Sequence, residues 1–527
     1  MITTTHPRAG ALTLAEIEEE MKVFERKERT RLGLEDQPAS QWHDPNPQTF
    51  TRSQREHTTI LLGGLTIAQD VFVKAGLQGI GYRIEVLPCP DTKALHLGKE
   101  FGNRGQCNPT YFTVGNLIKR LVALRDEEKV PVPDIVRRYV FMTAGACGPC
   151  RFGTYATEYR KALRDAGFEG FRVLLFQQQG GFKQATGDDV GLELTPKFFM
   201  QIVKALVAGD VLNAIGYRIR PYEVTKGATD AALERCKEIV CTALQQRKST
   251  LLALRRCRKE LERVEVNRLQ AKPKVMIIGE FWAMTTEGDG NYHLQRFLEE
   301  EGAEVEVQAV SAWLLYMIWQ GQRDTRRRLE LKEKDEAGKG LARRNAPKLL
   351  RGLWLADHAL RVIFQTAARC VGLKGFHLPD MDEIGTLAQP YYDVELRGGE
   401  GHMEVGKFIE ATKARRAHMI VSVKPFGCMP SSGVSDGIQS LVATRHPEII
   451  FCPVETTGDG AVNFQSRVLM CLFRARRKAR EEFAAALQQQ GTTLEEAMKR
   501  CRGGKESLHH ARHVMAGSGA NVVLAEC

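Results

Sequence analysis

The chain has 527 residues, more than one ordinary hydrophobic core accommodates, so we expect two or three domains. Hydrophobic residues make up 43% of the sequence and charged residues 26%, which is typical of a soluble globular protein. The sequence has no apolar run of about eighteen residues and no charged segment followed by an apolar one at its N-terminus, so it predicts neither a transmembrane helix nor a secretory signal. We therefore expect a cytoplasmic protein.

The formal net charge is +11, and much of the excess lies in the stretches Arg323–Arg351 and Arg474–Arg480. Neither stretch has interleaved aromatic residues or zinc-finger spacing, which favours solvated helical faces over a nucleic-acid groove. A basic surface also suits an anionic substrate or an acidic partner protein.

The first 55 residues predict a charged helix over Leu14–Glu28 and a polar connector, which we interpret as an arm wrapping the body. After the arm, short apolar or alternating segments bounded by Gly and Pro predict strands, with amphipathic helices between them. The predicted strands are 58–64, 82–87, 138–143, 171–176, 274–281, 304–310, 417–423 and 448–454. Strands that alternate with helices over short connections predict doubly wound parallel sheets.

The predicted fold class is α/β, with two to three Rossmann-like parallel-sheet domains that carry helical insertions. The segments after the arm are a first α/β domain with a helical extension (56–270), a middle α/β domain with a helical insertion (271–412), a C-terminal α/β domain (413–495) and a tail (496–527). The tail contains glycine pairs, and we expect loose order there.

The cysteines are the most informative feature. The sequence contains 13 cysteines, and structural disulfides are not expected in the cytoplasm. Cys501 and Cys527 lie in the tail, where the pattern assigns them no role. Five others lie in helical patterns and read as small core residues: Cys236, Cys241, Cys257, Cys370 and Cys471. The remaining six follow strands or lie in Gly/Pro-rich loops: Cys89, Cys107, Cys147, Cys150, Cys428 and Cys452.

Strand ends of a parallel sheet are where ligands gather, so these six cysteines predict one shared site. Cys107 precedes a predicted helix N-terminus, which stabilises a thiolate. Zinc sites use paired local motifs, and the sequence has a single CxxC; ferredoxin-type runs are also absent. Ligands scattered over several α/β units favour an iron–sulfur cluster between domains.

An alternative reading rests on Cys147 and Cys150, which form the CGPC motif of thioredoxin between a strand and a helix. Thr195-Pro196 falls roughly where a cis-proline would lie. A thioredoxin needs a β-hairpin after that proline, whereas here Pro196 opens an amphipathic helix. Thiol–disulfide exchange and inert burial both stay open as alternatives.

Other candidates for the site are polar residues near the cysteines. Glu280 ends a predicted strand, and Glu455 and Asp459 follow Cys452. Each carboxylate could donate a proton to a reduced substrate, or be an ordinary turn residue facing water. Four neighbours could tune a cluster or act as ordinary caps and solvated charges: Gln106, Asn108, Arg151 and Lys424.

Four segments carry a family resemblance: LGKEFGNRGQCNPTYFTVGNLIKRL (97–121), FMTAGACGPCRFGTYATEYRKAL (141–163), SVKPFGCMPSSGVSDGIQSL (422–441) and PVETTGDGAVNFQSRVLM (453–470). They resemble the 2-hydroxyacyl-CoA dehydratase family, which includes benzoyl-CoA reductases and double-cubane cluster proteins, in particular its activase-associated branch. The segment 274–305 is similar to the family's middle domain. The likeness extends from about residue 58 to 475.

The resemblance implies Rossmann-like domains with an iron–sulfur cluster between them. The family's cluster cysteines correspond to Cys107, Cys150 and Cys428. A [4Fe–4S] cluster on three cysteines leaves one iron open to a ligand. Cys147, Cys452 and Cys89 depart from that pattern; with them the site could hold a double-cubane [8Fe–9S] cluster, or they could be bystanders.

The activity implied by the resemblance is oxygen-sensitive reduction at low potential. A separate ATP-dependent activator, an actin-like ATPase with its own [4Fe–4S] cluster, would deliver the electrons. The sequence has no GxxxxGK[ST] loop, so we expect ATP to bind that partner. The resemblance also implies a homodimer and an acyl-CoA or small-molecule substrate, and we predict no nucleic-acid or membrane partner. A non-catalytic electron-transfer scaffold is a further alternative.

Overall fold

A computed structural model describes residues 14–33, 50–145, 150–177, 190–330, 345–396 and 401–527. The chain forms two units, Met1–Asn46 and Pro47–Cys527. In the first unit, helix α1 (Leu14–Arg31) is strongly polar and carries ion pairs one turn apart, Arg29 with Glu25 and Arg31 with Glu28. The helix predicted over Leu14–Glu28 is confirmed, whereas the arrangement of the arm around the body stays a prediction.

The second unit contains a first sheet of four parallel strands in the order β2-β1-β3-β4. Its strands are β1 (Thr59–Leu62), β2 (Arg83–Val86), β3 (Tyr139–Gly145) and β4 (Arg172–Gln177). The helices around it are α2 (Ile67–Gln78), α3 (Thr92–Phe101), α4 (Asn108–Asp126), α5 (Val132–Arg138) and α6 (Tyr155–Asp165). All four strand predictions are confirmed within a few residues, because apolar runs bounded by Gly and Pro mark buried parallel strands.

Helices α3 and α4 approach each other more closely than side chains would allow. A Cβ atom on Gly98 would lie 1.8 Å from the carbonyl oxygen of Tyr111, and one on Gly115 would lie 1.8 Å from that of Ala94. The two glycines therefore let the backbones touch. This contact fixes the start of α4, where Cys107 is located.

Three long helices follow the first sheet: α7 (Pro196–Ile219), α8 (Ala228–Gln245) and α9 (Thr250–Glu262). Among the described residues, Pro196–Tyr222 is the one helical stretch long and apolar enough to cross a membrane, and 61% of its apolar window is buried inside the protein. A buried core helix passes the same test. One hydrophobic core runs through these helices and includes Ile60 and Leu62 of the first sheet together with Met276 and Ile278 of the second.

The second sheet also has four parallel strands, in the order β6-β5-β7-β8. They are β5 (Lys274–Gly279), β6 (Glu304–Val307), β7 (Met419–Pro425) and β8 (Ile450–Thr456). This sheet contains strands from both sides of the predicted boundary at 412/413: β5 and β6 from the middle segment, β7 and β8 from the C-terminal one. Its helices are α10 (Phe281–Thr285), α11 (Leu294–Glu300), α12 (Val310–Glu330), α13 (Ala346–Val371), α14 (Met381–Ala388), α15 (Gly401–Lys413), α16 (Met429–Ser431), α17 (Gln439–Arg445) and α18 (Ala461–Gln489).

The tail is ordered, contrary to our expectation. It forms α19 (Leu494–Arg500) and α20 (Ser518–Glu526), and buried Val522 and Val523 pack in a cluster with Phe483 of α18. Cys501 and Cys527 form a disulfide, so the prediction that structural disulfides are absent is wrong. The glycines that suggested disorder instead permit close packing: Gly519 lies against the carbonyl oxygens of Arg268 and Gln270.

Candidate cysteine site between the two sheets

Cys107 is the N-cap of α4 and is 6% exposed. Pro109 lies in the first turn of the helix, where the missing N–H is harmless and the fixed φ angle suits the helix. The Sγ atom lies 3.1 Å from Thr110 Oγ1 and 3.4 Å from the hydroxyl of Tyr155 on α6. The thiol is thus buried beside two hydroxyl groups at the N-terminus of a 19-residue helix.

Cys428 repeats this arrangement in the other sheet. It follows β7, caps the single turn α16 and is 7% exposed, and its Sγ lies 3.2 Å from Ser431 Oγ. The turn continues into a π-helix over Ser432–Ile438, a feature frequent at functional sites. Both segments read Cys-x-Pro-Thr/Ser. Sequence reasoning overlooked Thr110 and Ser431, although this shared four-residue pattern was a signal that could have found them.

The loops that carry these two cysteines are in direct contact. The Asn108 N–H donates to the Phe426 carbonyl at 2.9 Å, and Asn108 Nδ2 donates to the Thr456 carbonyl at 3.2 Å. Gly427 has a φ of +75°, and a Cβ atom there would lie 3.1 Å from Cys107 Cα. The carboxyl-end loops of β7 and β8 therefore meet the loop before α4, which brings Cys107 and Cys428 to one interface between the sheets.

The Gly427 contact gives a first prediction. Gly427→Ala is expected to lower the free energy of unfolding by about 1–3 kcal/mol, because alanine is strained at positive φ and its methyl group would press on the Cys107 backbone. Urea unfolding followed by circular dichroism measures this. Gly433→Ala is the matched control, since open space surrounds Gly433; equal losses in both variants would contradict the close contact.

Cys150 lies in the segment between β3 and α6 of the first sheet. It caps the 3₁₀ turn Arg151–Thr154, and its carbonyl accepts the Gly153 N–H at 3.1 Å. The residue after this turn is Tyr155. Its hydroxyl contacts Cys107, and its ring packs edge-on against Phe152. The segment that starts at Cys150 therefore leads directly to the Cys107 thiol. Cys147 and most of the CGPC motif lie outside the described residues.

Glu280 belongs to the same neighbourhood. Its carboxylate accepts the N–H groups of Trp282 at 3.1 Å and Ala283 at 2.8 Å, and so caps α10. Burial, then Cys107 and then the Glu280 charge raise the pKa of Tyr155 well above its ordinary value. Tyr155 consequently stays protonated and can donate its hydroxyl hydrogen to the sulfur of Cys107.

The other predicted carboxylates have separate partners. Glu455 forms a cross-strand ion pair with Lys424 at 3.3 Å, and the two residues are in register on β8 and β7. A hydrogen bond from Thr457 lowers the pKa of Asp459. Both carboxylates lie near the end of β8, and their contacts are those of ordinary surface residues.

Cys452 is not at a strand end. Strand β8 continues to Thr456, four residues farther on, which corrects the predicted position. Its Sγ faces α18, where it lies 3.9 Å from the Arg467 carbonyl and hydrogen-bonds the Cys471 thiol. That hydrogen bond lowers the pKa of Cys471 to about 7. The described contacts of Cys452 are thus those of a core residue paired with a second thiol.

Cys89 lies beyond the end of β2 and contacts a loop of the second sheet. Its Sγ is 3.8 Å from Thr286 Oγ1, and a Cβ atom on Gly288 would lie 2.7 Å from it. Burial raises the pKa of this thiol. These contacts place it against the segment after α10, and not against Cys107 or Cys428.

The described donors can be compared with what an iron–sulfur cluster requires. No group of three or more His, Cys, Asp or Glu side chains is assembled as a metal site within the described ranges. Two buried thiols nevertheless share one interface, each beside a hydroxyl group, and Gln106 Oε1 next to Cys107 is buried without a hydrogen-bond partner. The two cysteine sulfurs are ligands of the kind that an iron–sulfur cluster uses, so Cys107 and Cys428 fit such a group. Cys150 caps the turn that precedes Tyr155.

No protein-family model matches the sequence, and no curated protein matches it.

Proposed function

We propose that Cys107, Cys150 and Cys428 hold an iron–sulfur cluster between the two sheets, and that the protein reduces a small molecule or an acyl-CoA at low potential. The observation that carries this proposal is the contact between the Cys107 and Cys428 loops. Two sheets that each contribute a buried thiol to one interface can share a single bulky ligand. The same segments carry the family resemblance from which the cluster was first expected.

When bound, the cluster would supply one-electron redox chemistry. The chain's own residues would set its surroundings. Thr110 and Tyr155 can donate hydrogen bonds to Cys107, and the Cys428 thiol donates to Ser431 Oγ at 3.2 Å. Hydrogen bonds to ligand sulfurs raise the reduction potential of such sites. Glu280, whose carboxylate caps α10 close to Tyr155, stays the proposed proton donor of the reaction.

We favour a single [4Fe–4S] cluster over a double cubane. The contacts of Cys452 with Cys471 and of Cys89 with Thr286 support assigning both cysteines outside the ligand set. Electrons would come from a separate ATP-hydrolysing activator, which is proposed from the resemblance alone, as is the homodimer. The cytoplasmic location also stays a proposal.

The test is the iron and sulfide content of anaerobically purified protein, with absorption spectra before and after dithionite. We expect about four irons per chain and a broad visible absorption that dithionite bleaches. Cys107→Ser and Cys428→Ser should each remove most of the iron and the colour. Cys370→Ala is the matched control, because Cys370 is equally buried, in α13, and that variant should keep its iron.

Two outcomes would overturn the assignment. About eight irons, reduced by Cys147→Ser or Cys452→Ser, would favour the double-cubane arrangement. A colourless, iron-free protein with a titratable dithiol would instead favour thiol–disulfide exchange at CGPC. That alternative has less support, because Thr195 caps α7 and Pro196 is its first residue, so a helix stands where a thioredoxin needs a strand.

A further inference from the structure

A cleft beside the edge strand β6 has no role in the proposed reduction. Its lining comes from β5, β6, α15 and the loop after α13, and includes Glu306, His377, Lys407 and Arg416. A second cavity adjoins it and shares Glu306, Val307 and Phe376. The continuous cleft has none of the predicted site cysteines in its lining.

The lining of this cleft is rich in cations. Four basic residues border the two cavities: Lys274, Arg218, Lys407 and Arg416. The carboxylates Glu304 and Glu306 are both engaged. Glu306 pairs with Lys274 at 3.1 Å and with Arg416 at 3.0 Å, and Glu304 accepts the Tyr222 hydroxyl at 2.9 Å. The positive charge therefore exceeds the negative charge.

Lys407 lies in the cleft wall, and the charges of Glu410, one turn along the same helix, and of Glu306 act on its ammonium group without contacting it directly. Lys407 is 8% exposed, and across the described residues nothing hydrogen-bonds or ion-pairs with its ammonium group. Burying an ammonium without a partner costs several kcal/mol. Such a group in a cleft wall is the arrangement expected when a ligand supplies the missing negative charge.

We propose that this cleft binds a small oxyanion, either a phosphate or a carboxylate, and that the Lys407 ammonium is its charged partner. Arg218 borders the adjoining cavity and provides a second cation without a carboxylate partner of its own. The other two cations of the lining, Lys274 and Arg416, form ion pairs with Glu306. The proposal does not depend on the iron–sulfur assignment.

The first experiment compares thermal unfolding of the full chain in inorganic phosphate, in acetate and in sodium chloride of equal ionic strength. Phosphate, acetate or both should raise Tm above the chloride value, and the more effective anion identifies the ligand class. No rise with either anion would overturn the proposal.

The second experiment uses calorimetric titration with the anion that raises Tm. Lys407→Met should weaken binding by about tenfold to a hundredfold, because a charge-assisted hydrogen bond is lost. Lys413→Met on the same helix is the control, since Lys413 is exposed, and it should bind like the wild type. A lysine with a purely structural role would leave the affinity of Lys407→Met unchanged, which would contradict the proposal.

A pH profile of the wild-type chain keeps the proposal testable if Lys407→Met does not fold. Burial, assisted by Arg416, lowers the pKa of Lys407 to about 8. An anion binds the protonated lysine, so affinity should fall as pH rises through this value. A flat profile would contradict the assignment. The charged or titratable groups around Lys407 are Glu410, Arg416, Glu306, Lys274, Arg218, Glu304, His377 and His510.

Discussion

Gly115→Ala is expected to lose at least about 3 kcal/mol of unfolding free energy, one of the two largest effects that we predict for a single substitution. The new Cβ atom would lie 1.8 Å from the carbonyl oxygen of Ala94 and 2.5 Å from the amide nitrogen of Gly98. Both are backbone atoms within helix α3, so no side-chain rotation can relieve the clash. The two helices must separate, which exposes the core beneath them.

Urea unfolding followed by circular dichroism measures this loss. Gly352→Ala is the matched control, because Gly352 is also within a helix and has open space around it. That substitution should be neutral or stabilise by up to about 1 kcal/mol, since alanine is the better helix former. An unchanged unfolding midpoint in Gly115→Ala would show that α3 and α4 do not touch as described.

The same substitution also bears on the site. Cys107 immediately precedes α4, and its contact with the Gly427 loop depends on where that helix begins. We therefore expect Gly115→Ala to lose bound iron even under conditions in which the second sheet remains folded. Retention of iron by a partly unfolded Gly115→Ala protein would indicate that Cys107 is not a ligand.

Asp210→Ala is expected to have the second large effect, also about 3 kcal/mol of lost stability. Asp210 is 5% exposed, and its carboxylate accepts the Val310 and Ser311 N–H groups at the start of α12, both at 2.8 Å. It also accepts Gln69 Nε2 at 2.9 Å. Alanine would leave the Val310 and Ser311 N–H groups without this acceptor, would leave Gln69 Nε2 with the Leu206 carbonyl alone, and would remove the cap of a 21-residue helix.

Chemical denaturation of Asp210→Ala and Asp210→Asn tests this interpretation. Asparagine keeps one acceptor oxygen, so the unfolding free energy of Asp210→Asn should lie above that of Asp210→Ala and below that of the wild type. Asp126→Ala is the surface control; Asp126 is exposed and pairs with neighbouring Arg125, and its removal should change little. Equal stability of Asp210→Ala and the wild type would mean that α12 does not depend on this tertiary cap.

Local sequence was sufficient to locate the strands. Apolar runs such as TILL (Thr59–Leu62) end at glycine pairs, and alternating runs such as RIEV (Arg83–Val86) end near proline. These signals involve residues that are neighbours in the chain, so they can be read without knowing the fold. The strand predictions and the parallel α/β architecture are confirmed for the same reason.

Strand pairing could not be read in this way. Strand β7 pairs with β5 across a gap of more than a hundred residues, and nothing in either sequence names its partner. The sequence consequently did not show that the strands of the predicted middle and C-terminal domains pair in one sheet. The prediction of loose order in the tail was wrong for a related reason. The small residues of the tail pack against α18 and the 268–270 segment, which are distant in the chain.

In the candidate site too, local sequence determined some features and tertiary packing determined the others. The sequence by itself determined that Cys107 precedes a helix, because proline two residues later marks a helix start, and it placed Cys428 in a loop after a strand. Only the tertiary structure decided that their loops meet, and that Cys452 faces Cys471 and not the site. The physical reason is that both arrangements depend on residues distant in the chain: the loops of Cys107 and Cys428 meet because the two sheets pack together, and Cys452, which lies within β8, takes the strand face that the pairing register assigns to it.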